Sequence, residues 1–272
     1  MNQLTLVPEG GLCNRIYAIT STVAFAKKYN LRLTVIWFKD WGMGAGFYDL
    51  FTCVQTLENI EIRDASLSDF YKYAKPIKRN FFLPKLFLRR KYDAVYYWYK
   101  EKHSVEEWYL SHPGAQDFYL FHCSKYFDNT GFLNLLLPVN AIQKRIDEQV
   151  KMISPHTIGI HVRRTDLSEA IIQSPLSAFI SKMQHEIEMN PETTFYIASD
   201  SKEEKKHLVD VFGDKIISVE NNLKRNTAEG VVDAFIELHT LAATKKIFGS
   251  CNSTYSILAS EINNIPIEII HI

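Results

Sequence analysis

Apolar residues change their spacing along the first part of the chain, and each spacing predicts a different element. A short apolar run at 4–7 predicts a strand. Isoleucine, valine and alanine then recur at helical spacing within 14–29, and Asn30 is well placed as a left-handed stop for that helix. A second apolar run at 31–38 predicts the next strand. This order predicts a βαβ unit with a right-handed crossover.

The second half of the sequence shows the same alternation more regularly. Strands are predicted at 157–162, 194–198, 215–219, 246–249 and 267–272. Helices are predicted at 175–189, 201–212, 227–244 and 253–261. Ser201 with Glu204 predicts a capping box at the start of one helix, and Gly213 fits its C-terminal stop. Strands that alternate with helices in this way are typical of a parallel, doubly wound sheet.

The two halves together predict an α/β protein of two Rossmann-like domains, whose parallel sheets face a cleft. The expected domains are 1–150 and 151–272, and a helix-like segment at 137–152 bridges them. Shorter strands at 60–62 and 118–123 complete the first half. A single large α/β sheet is the alternative architecture.

Composition narrows the possible functions. Lysine plus arginine and aspartate plus glutamate each number 31, so the formal net charge is zero and no overall field favours nucleic acid. The cysteines at 13, 53, 123 and 251 form no C-x-x-C pair, which disfavours a zinc site or a disulfide framework. No apolar run reaches the roughly 20 residues that span a bilayer, and the first residues lack the pattern of a secretory signal. We therefore expect a cytoplasmic protein.

The segment 157–166 carries the most informative chemistry. Its apolar run ends in Arg163, Arg164 and Asp166. In open α/β sheets, ligands bind at the carboxyl ends of strands. Paired arginines at such an end suit a phosphate or pyrophosphate, which the planar guanidinium grips through two hydrogen bonds. An ion-pair network of the arginines with Asp166 and Glu169 explains the same residues equally well.

Three stretches resemble the sequence blocks of fucosyltransferases, in the same order along the chain. Gly10-Gly-Leu-Cys-Asn-Arg15 resembles their opening glycine motif, and His161-Val-Arg-Arg-Thr-Asp166 is similar to their H-x-R-R-x-D motif. The stretches 231–241 and 247–256 resemble their third block, and Ala198-Ser-Asp200 is similar to a recurring strand end of the superfamily. The resemblance spans residues 4 to about 260. It implies a GT-B fold in which the C-terminal half binds GDP-fucose and the N-terminal half binds the acceptor.

The implied reaction needs hydrogen-bond donors for the charge that develops on the departing pyrophosphate. The sequence has no D-x-D metal motif, so we expect no metal or other cofactor, and arginine with helix N-termini takes this role. Arg163 aligns with the arginine on which the family relies and is the main expected catalytic residue. The nucleotide-sugar-binding residues implied by the resemblance are Gly10, Gly11, His161, Arg163, Arg164, Asp166, Asp200, Asp233, Glu237, Ser250, Asn252, Ser253 and Thr254.

Several of these residues also have a purely structural interpretation. His161 can be a satisfied core histidine, and Arg164 can simply tie the strand end to neighbouring carboxylates. Asn252 or Ser253 can be a plain helix N-cap, which does not exclude a role at phosphate.

Glu237 occupies the position at which the resemblance implies an acidic residue that reads guanine. A carboxylate accepts both the N1 and N2 protons of guanine, and adenine cannot match that geometry. Asp233, one helical turn earlier, takes this role if the register is shifted. A solvated helix face is the alternative for both residues.

The glycine loop after the first strand is expected to approach phosphate. Gly10 and Gly11 permit close approach of the backbone, and Asn14 can donate to a phosphate or to the sugar, which makes it an expected catalytic residue. A role as helix N-cap also explains Asn14, and the role of Arg15 is open.

An inverting transfer needs a group that takes the proton of the acceptor hydroxyl. Glu169, just beyond the arginine motif, is the first candidate for this catalytic base. Glu9 and Asp40 are the next candidates.

Residues 75–100 are basic and aromatic and lie within a region, 72–112, where the regular pattern breaks down. Aromatic side chains bind the faces of sugars, and basic amphipathic stretches contact anionic lipid heads. This segment therefore predicts capture of a lipid-linked or polysaccharide acceptor at the inner face of the membrane. The alternative is a solvated helix pair that packs Phe81, Phe82, Leu86 and Phe87 into the core.

We therefore expect an inverting, metal-independent transferase that moves fucose from GDP-fucose to a hydroxyl of an oligosaccharide or polysaccharide acceptor. A transferase for another GDP-sugar and a non-catalytic nucleotide- or glycan-binding protein of the same fold are the alternatives. A dinucleotide oxidoreductase is disfavoured because Gly42-x-Gly-x-Gly46 lacks the G-x-G-x-x-G spacing.

Overall fold

The chain folds into two compact units, each with its own sheet. The computed structural model describes residues 1–53, 58–73, 82–165 and 168–272. Unit 1 comprises Met1–Val139 together with Arg225–Ala228, and unit 2 comprises Asn140–Lys224 together with Glu229–Ile272. Because each unit contains a separate five-stranded sheet, the alternative of a single large sheet is wrong.

Unit 1 has a parallel sheet with its first strand at the centre. The strands are β1 (Gln3–Pro8), β2 (Arg32–Trp37), β3 (Phe51–Cys53), β4 (Ile60–Asp64), β5 (Ala94–Tyr97), β6 (Asp117–His122) and β7 (Leu136–Pro138). The helices are α1 (Leu12–Lys28), α2 (Phe47–Leu50), α3 (Leu67–Lys72), α4 (Phe82–Lys91) and α5 (Val105–Leu110). The strand order is β4-β2-β1-β6-β5, with all pairs parallel, and β3 pairs with β7 in a separate antiparallel ladder.

Unit 2 repeats this plan. Its strands are β8 (Thr157–Val162), β9 (Thr194–Ser199), β10 (Ile216–Ile217), β11 (Ile247–Ser250) and β12 (Ile267–Ile270). Its helices are α6 (Asn140–Val150), α7 (Ser168–Gln173), α8 (Leu176–Met189), α9 (Lys202–Phe212), α10 (Ala228–Ala242) and α11 (Thr254–Asn263). The parallel order is β10-β9-β8-β11-β12.

In both units the chain builds one side of the sheet from the central strand and then crosses to the other side. The change of direction lies between β1 and β6 in unit 1 and between β8 and β11 in unit 2. Such switch points are where open α/β sheets bind ligands, beyond the carboxyl ends of the strands. The prediction of two Rossmann-like, parallel α/β units is confirmed.

Most element bounds agree with the sequence prediction, and the differences have local causes. The strand at 157–162 is confirmed residue for residue. The predicted strand at 215–219 is reduced to Ile216–Ile217 at the sheet edge, where it pairs with β9 alone. The helix at 140–150, which the prediction assigns to the first domain, groups with unit 2. The stop at Asn30 is confirmed, because its φ is +50°.

The region without a regular pattern contains α4, β5 and α5. Phe87 packs edge-on against Tyr73, with the ring centroids 5.6 Å apart. Of the other phenylalanines predicted to pack there, Phe81 and the side chain of Phe82 lie outside the described residues. The basic residues Lys85, Arg89 and Arg90 of α4 are exposed, and contact of this segment with a membrane stays a prediction. Within the described ranges, no helix has the length and apolar content needed to span a bilayer.

The core of unit 2 fixes the position of the end of β8. All six residues of β8 are buried. Its Ile158, Ile160 and Val162 belong to one apolar cluster with Phe179 and Met183 of α8. Burial of these side chains stabilises the unit in proportion to the apolar area removed from water. The residues that follow Val162 therefore leave a rigid strand.

Candidate functional site

The two arginines lie at the switch point of unit 2, where β8 ends. The backbone N–H of Arg163 donates to Oγ of Ser250 at 2.9 Å, and that hydroxyl donates to the carbonyl of His161 at 3.1 Å. Ser250 is the last residue of β11 and is fully buried. The arginine motif and the serine-rich turn, which are 87 residues apart in sequence, therefore meet at one sheet edge.

Asp200, just beyond the end of β9, holds the backbone of the arginine loop. Its Oδ2 lies 3.0 Å from Nη1 of Arg163, and its Oδ1 accepts the N–H of Arg164 at 2.8 Å. The hydroxyl of Thr165 donates to Oδ2 at 2.7 Å. Burial alone would raise the pKa of Asp200, but the charge of Arg163 and these hydrogen bonds outweigh it and hold the pKa below its usual range. Asp200 is therefore an anion at neutral pH.

Arg164 is more firmly engaged than Arg163. Its Nε donates to Oε1 of Glu204 at 2.6 Å, and its Nη1 donates to the carbonyl of Arg163 at 2.9 Å. The side chain of Arg164 is 10% exposed, whereas that of Arg163 is 19% exposed. The ion-pair interpretation thus fits Arg164, with a carboxylate that the sequence analysis did not assign to it. Asp166 and the side chain of Glu169 lie outside the described residues.

The predicted capping box at the start of α9 is only half formed. Oγ of Ser201 accepts the N–H of Glu204 at 3.3 Å, as expected. The carboxylate of Glu204 pairs with Arg164 instead of returning to the cap. An ion pair with a permanently charged guanidinium is stronger than a bond to one backbone N–H, which explains the difference.

His161 is buried beneath the arginine loop and remains neutral. Its ring stacks on Tyr255, with centroids 4.9 Å apart and planes 25° apart. Burial, and then the charge of Arg163, lower the pKa of His161 to about 3. Its Nδ1 is buried and has no hydrogen-bond partner among the described residues. The interpretation as a satisfied core histidine is therefore wrong for this nitrogen.

The turn between β11 and α11 presents the start of a helix at the same sheet edge. Ser253 occupies the N-cap position, as one alternative predicts, but its side chain makes no capping hydrogen bond. Asn252 adopts a left-handed φ of +55°, and Thr254 is exposed at the first position of the helix. Ser253 therefore does not cap the helix with its side chain, and backbone N–H groups at a helix start are groups that bind anions.

Both acidic residues of α10 are buried and paired. Oε1 of Glu237 accepts from Nζ of Lys205 at 2.6 Å and from Nδ2 of Asn221 at 3.0 Å. Burial raises the pKa of Glu237, and the charge of Lys205 opposes this rise. Oδ1 of Asp233 accepts from Nη2 of Arg145 at 2.7 Å, and its Oδ2 accepts a backbone N–H at 2.9 Å. The interpretation of a solvated helix face is wrong for both, because the cations come from α9 and α6, far along the sequence.

In unit 1 the glycine loop turns sharply into α1. Gly10 has a φ of +86°, and a Cβ at this position would lie 2.8 Å from Nδ2 of Asn14. Gly11 is the N-cap residue and α1 begins at Leu12. Asn14 thus lies in the first turn of the helix, and the interpretation of Asn14 as N-cap is wrong.

Arg15, whose role the sequence leaves open, braces this loop from within. It is completely buried, and its Nε and Nη1 donate to the carbonyls of Gly10 at 2.8 Å and Phe38 at 2.6 Å. Its Nη2 pairs with Asp40, and the guanidinium lies 4.8 Å from the centre of the Trp37 ring. Arg15 therefore joins the loop after β1 to the loop after β2. Asp40 is held by this pair and also accepts the N–H of Gly42 at 2.8 Å.

A cavity of about 790 Å³ lies at the carboxyl ends of the strands of unit 1. Residues after β1, β2, β5 and β6 line it. The lining residues are Glu9, Gly10, Gly11, Asn14, Asp40, Trp41, Gly42, Trp98, Tyr99, Cys123 and Arg225. Trp98 and Tyr99 belong to the basic and aromatic segment 75–100 of the sequence. No motif marks Trp41 or Arg225, and the one signal for Trp41 is its position a few residues after β2.

Arg225 reaches this cavity from the second half of the sequence. Its carbonyl accepts the N–H of Gly44 at 2.9 Å. A Cβ on Gly44 would lie 2.4 Å from the backbone carbon of Asn226, so only glycine permits this contact. The segment 225–228 is therefore a structural part of unit 1.

The described residues contain no cluster of three histidine, cysteine, aspartate or glutamate side chains suited to a metal ion. The expectation of a metal-independent reaction stays a prediction. Cys13, Cys123 and Cys251 form no disulfide. Burial raises the pKa of the Cys123 thiol to about 11, so this cavity-lining residue is protonated at neutral pH.

Solved structures resemble this chain along nearly its whole length. The alpha-1,6-fucosyltransferase NodZ, soaked with GDP-fucose, matches 98% of this chain and 94% of its own with a TM-score of 0.70. The chain has a fucosyltransferase-like fold. NodZ from Bradyrhizobium, in a separate crystal structure, covers 95% of this chain and 91% of its own at a TM-score of 0.67.

A second fucosyltransferase shows the same likeness. POFUT1 in complex with GDP-fucose matches 100% of this chain and 99% of its own with a TM-score of 0.61. Sequence identity is 15% to both NodZ structures and 11% to POFUT1, so the likeness concerns the fold. No family model and no curated protein matches the sequence.

Proposed function

We propose that this protein is a glycosyltransferase that transfers fucose from GDP-fucose to a hydroxyl of a glycan, with inversion at the sugar carbon and without a metal ion. The observation that carries the proposal is the meeting of Arg163 with the turn 250–254 at the switch point of unit 2, linked by Ser250 at 2.9 Å. This edge combines a guanidinium with a helix start that lacks its side-chain cap. Both groups recognise phosphate.

In the proposed reaction, the bond between C1 of fucose and the phosphate oxygen breaks, and its electron pair goes to the β-phosphate of GDP. Arg163 and the first N–H groups of α11 stabilise this charge, which is the contribution that positioned donors make best. Asp200 is an anion that holds the arginine loop in place from β9. Because Asp200 is an anion that contacts both the guanidinium of Arg163 and the backbone of the loop, its role in the proposal is to position Arg163 rather than to contact phosphate.

The base preference of the nucleotide depends on two carboxylates of α10. Glu237 and Asp233, the two residues implied to read guanine, already accept hydrogen bonds within unit 2. A guanine would have to share Glu237 with Lys205 or use its second oxygen. For this reason the test compares nucleotides directly.

The first test is thermal unfolding of the protein with GDP, UDP or ADP, each in magnesium and in EDTA. We expect GDP to raise Tm more than the other nucleotides and by the same amount in both buffers. A nucleotide present at 100 times its Kd stabilises the folded state by about 2.7 kcal/mol. A larger shift with UDP would overturn the guanosine assignment, and a shift that requires magnesium would overturn metal independence.

Two variants separate the roles of the paired arginines. Arg163→Ala should abolish the GDP-induced shift while the protein still unfolds cooperatively. Arg164→Ala, the matched control, should lower Tm because it leaves Glu204 without its guanidinium, yet retain the response to GDP. If Arg163→Ala unfolds the protein and Arg164→Ala changes nothing, the arginines are structural and the proposal fails.

Transfer itself is tested by mass spectrometry after incubation with GDP-fucose and a panel of oligosaccharides. The expected product is an oligosaccharide one fucose heavier, together with free GDP. A protein that binds GDP but never produces free GDP from GDP-fucose would be a non-catalytic binding protein instead.

A further inference from the structure

The cavity of unit 1 has an aromatic wall that the fold does not require. Trp41 is 87% exposed, and Trp98 and Tyr99 are each 43% exposed. All three line the cavity. Tryptophan is usually well buried, and large aromatic surfaces left in water mark places where another molecule binds. The aromatic side chains therefore point to a ligand with apolar faces.

Trp98 is held in a defined orientation. Its Nε1 donates to Oε2 of Glu9 at 3.2 Å, and its ring meets that of Tyr99 nearly edge-on, with centroids 5.8 Å apart and planes 83° apart. The ring of Tyr99 in turn lies edge-on to that of Phe121 in β6, with the ring centroids 6.3 Å apart. A hydrogen bond and ring contacts, rather than deep burial, thus fix the indole. A ring held in this way presents its face to a ligand at little cost in side-chain entropy.

Glu9 provides a polar group with unused hydrogen-bonding capacity. The residue is 8% exposed, lines the cavity and accepts from the Trp98 indole through Oε2. No group of the described residues donates a hydrogen bond to its other oxygen, Oε1. The neighbouring carboxylate differs, because Asp40 is satisfied by Arg15 and by the N–H of Gly42. A nearly buried carboxylate gains most from a ligand that brings its own donors, such as sugar hydroxyls.

The charges around the cavity balance. Glu9 and Asp40 are matched by Arg15, which is buried behind the wall, and by Arg225, which lines it. A ligand with a net charge gains no general attraction here. A neutral ligand with apolar faces and hydroxyl donors fits this combination best, and a pyranose ring has both.

We propose that this cavity binds a neutral sugar ring of the glycan acceptor, which stacks on Trp98 and Trp41 and donates one hydroxyl to Glu9. The assignment of this sugar as acceptor rests on the proposed function. In that reaction the hydroxyl oxygen forms the new bond to C1 of fucose, its proton moves to the Glu9 carboxylate, and GDP departs with the electron pair of the broken bond. Glu9 is one of the candidate bases, and its Oε1 receives no hydrogen bond from the described residues. This oxygen can therefore take the proton.

Binding of sugar is measured without donor, so that it does not depend on turnover. The protein is titrated with four neutral tetrasaccharides built from glucose, mannose, galactose or N-acetylglucosamine, and tryptophan fluorescence is followed. At least one should give a saturable change, because Trp41 and Trp98 are exposed while Trp37 and Trp108 are buried. Trp98→Ala and Trp41→Ala should each weaken binding of that sugar about tenfold or more, which corresponds to the loss of one stacking contact.

The control variant is Tyr71→Ala, which removes an exposed aromatic side chain of α3 outside the cavity. It should leave sugar binding unchanged. Trp41→Ala decides the outcome if Trp98→Ala does not fold, since a side chain so exposed contributes little to folding. No saturable response to any of the four sugars, or undiminished affinity in Trp41→Ala, would overturn the proposal.

The two proposals fail in different ways. Sugar binding that depends on Trp41 and Trp98, in a protein that ignores GDP, would leave the cavity assignment standing and overturn the transferase. A GDP response that survives in a protein without sugar binding would do the reverse.

Discussion

Oδ2 of Asp200 lies 3.0 Å from Nη1 of Arg163, while Oδ1 of the same carboxylate accepts the backbone N–H of Arg164 at 2.8 Å. One side chain from the end of β9 therefore fixes both the guanidinium and the backbone of the loop after β8. Neighbouring strands of a parallel sheet end at the same edge, which is why a residue 36 positions away can do this. The arginine loop owes its conformation to Asp200 as much as to its own sequence.

The substitution Asp200→Asn should destabilise the protein and weaken its response to GDP. An amide cannot compensate the charge of Arg163, which is largely removed from water. Loss of one partner from a fully buried pair costs about 3–5 kcal/mol, and partial exposure reduces the expected loss in the free energy of unfolding to about 1–3 kcal/mol. Urea denaturation measures this loss, with the exposed Asp214→Asn as control. Equal stability of the two variants would show that Asp200 does not hold the loop.

Buried histidines should make the protein lose stability between pH 6.5 and 5. Burial lowers the pKa of His161 to about 3 and those of His122 and His239 to about 4, against 6.5 in the unfolded chain. As the pH falls below 6.5, the unfolded state takes up protons that the folded state does not, so the free energy of unfolding decreases. Each histidine contributes up to about 1.4 kcal/mol per pH unit.

Urea midpoints measured between pH 8 and pH 5 test this dependence. His239→Phe should reduce the slope, because it removes one of the buried titrating groups. His185→Gln is the control, since His185 is exposed, and it should leave the slope unchanged. Midpoints that stay constant down to pH 5 would contradict the burial of these imidazoles.

Replacement of Gly44 by alanine should destabilise unit 1 strongly. The new Cβ would lie 2.4 Å from the backbone carbon of Asn226, and backbone atoms cannot move aside as a side chain does. Overpacking of this kind costs about 1–3 kcal/mol or more. Gly11→Ala is the matched control, because a Cβ there meets nothing within 4 Å. Thermal unfolding of both variants should show a lower Tm for Gly44→Ala alone.

Glu9→Gln should reduce turnover far more than it weakens sugar binding. Glutamine keeps one oxygen, which can accept from Trp98, but its amide NH2 cannot accept the sugar hydroxyl, so the affinity for sugar should fall about tenfold at most while the response to GDP stays unchanged. Loss of a general base typically reduces kcat by 10²–10⁴. Initial rates of GDP release in the presence of acceptor measure this effect, and the exposed Glu58→Gln serves as control. A kcat for Glu9→Gln within twofold of the parent value would exclude Glu9 as the base.

The sequence was sufficient to predict the central parallel strands, because their side chains are buried on both faces, whereas β5 in the irregular region was missed. β8 is an example: its apolar run reads directly as a buried strand, and its bounds agree with the structure. The helix stops at Asn30 and Gly213 were predictable for a related reason, since both residues adopt positive φ, which few other residues tolerate.

Partners brought from distant elements were not predictable from local sequence. Glu204 reads as a capping residue of α9, but the fold places it beside Arg164, and the ion pair is the stronger interaction. Glu237 looks like an exposed helix residue until Lys205 is placed against it from α9. Trp98 lies in the region without a regular pattern of apolar residues. The structure shows that its partly exposed ring lines a cavity and is oriented by a hydrogen bond to Glu9. Pairing across a fold is a property of tertiary structure, and a single sequence does not record it.

The contribution of 225–228 to unit 1 affects how the protein can be dissected. A fragment that stops at Val139 would lack the backbone that packs against Gly44 and would lack Arg225, which lines the cavity. If the two halves of the gene were expressed separately, the first fragment would lack residues 225–228. The second fragment would carry these four residues without the unit against which they pack. A functional first half would require this tetrapeptide to be supplied again, for instance through a linker grafted after Val139.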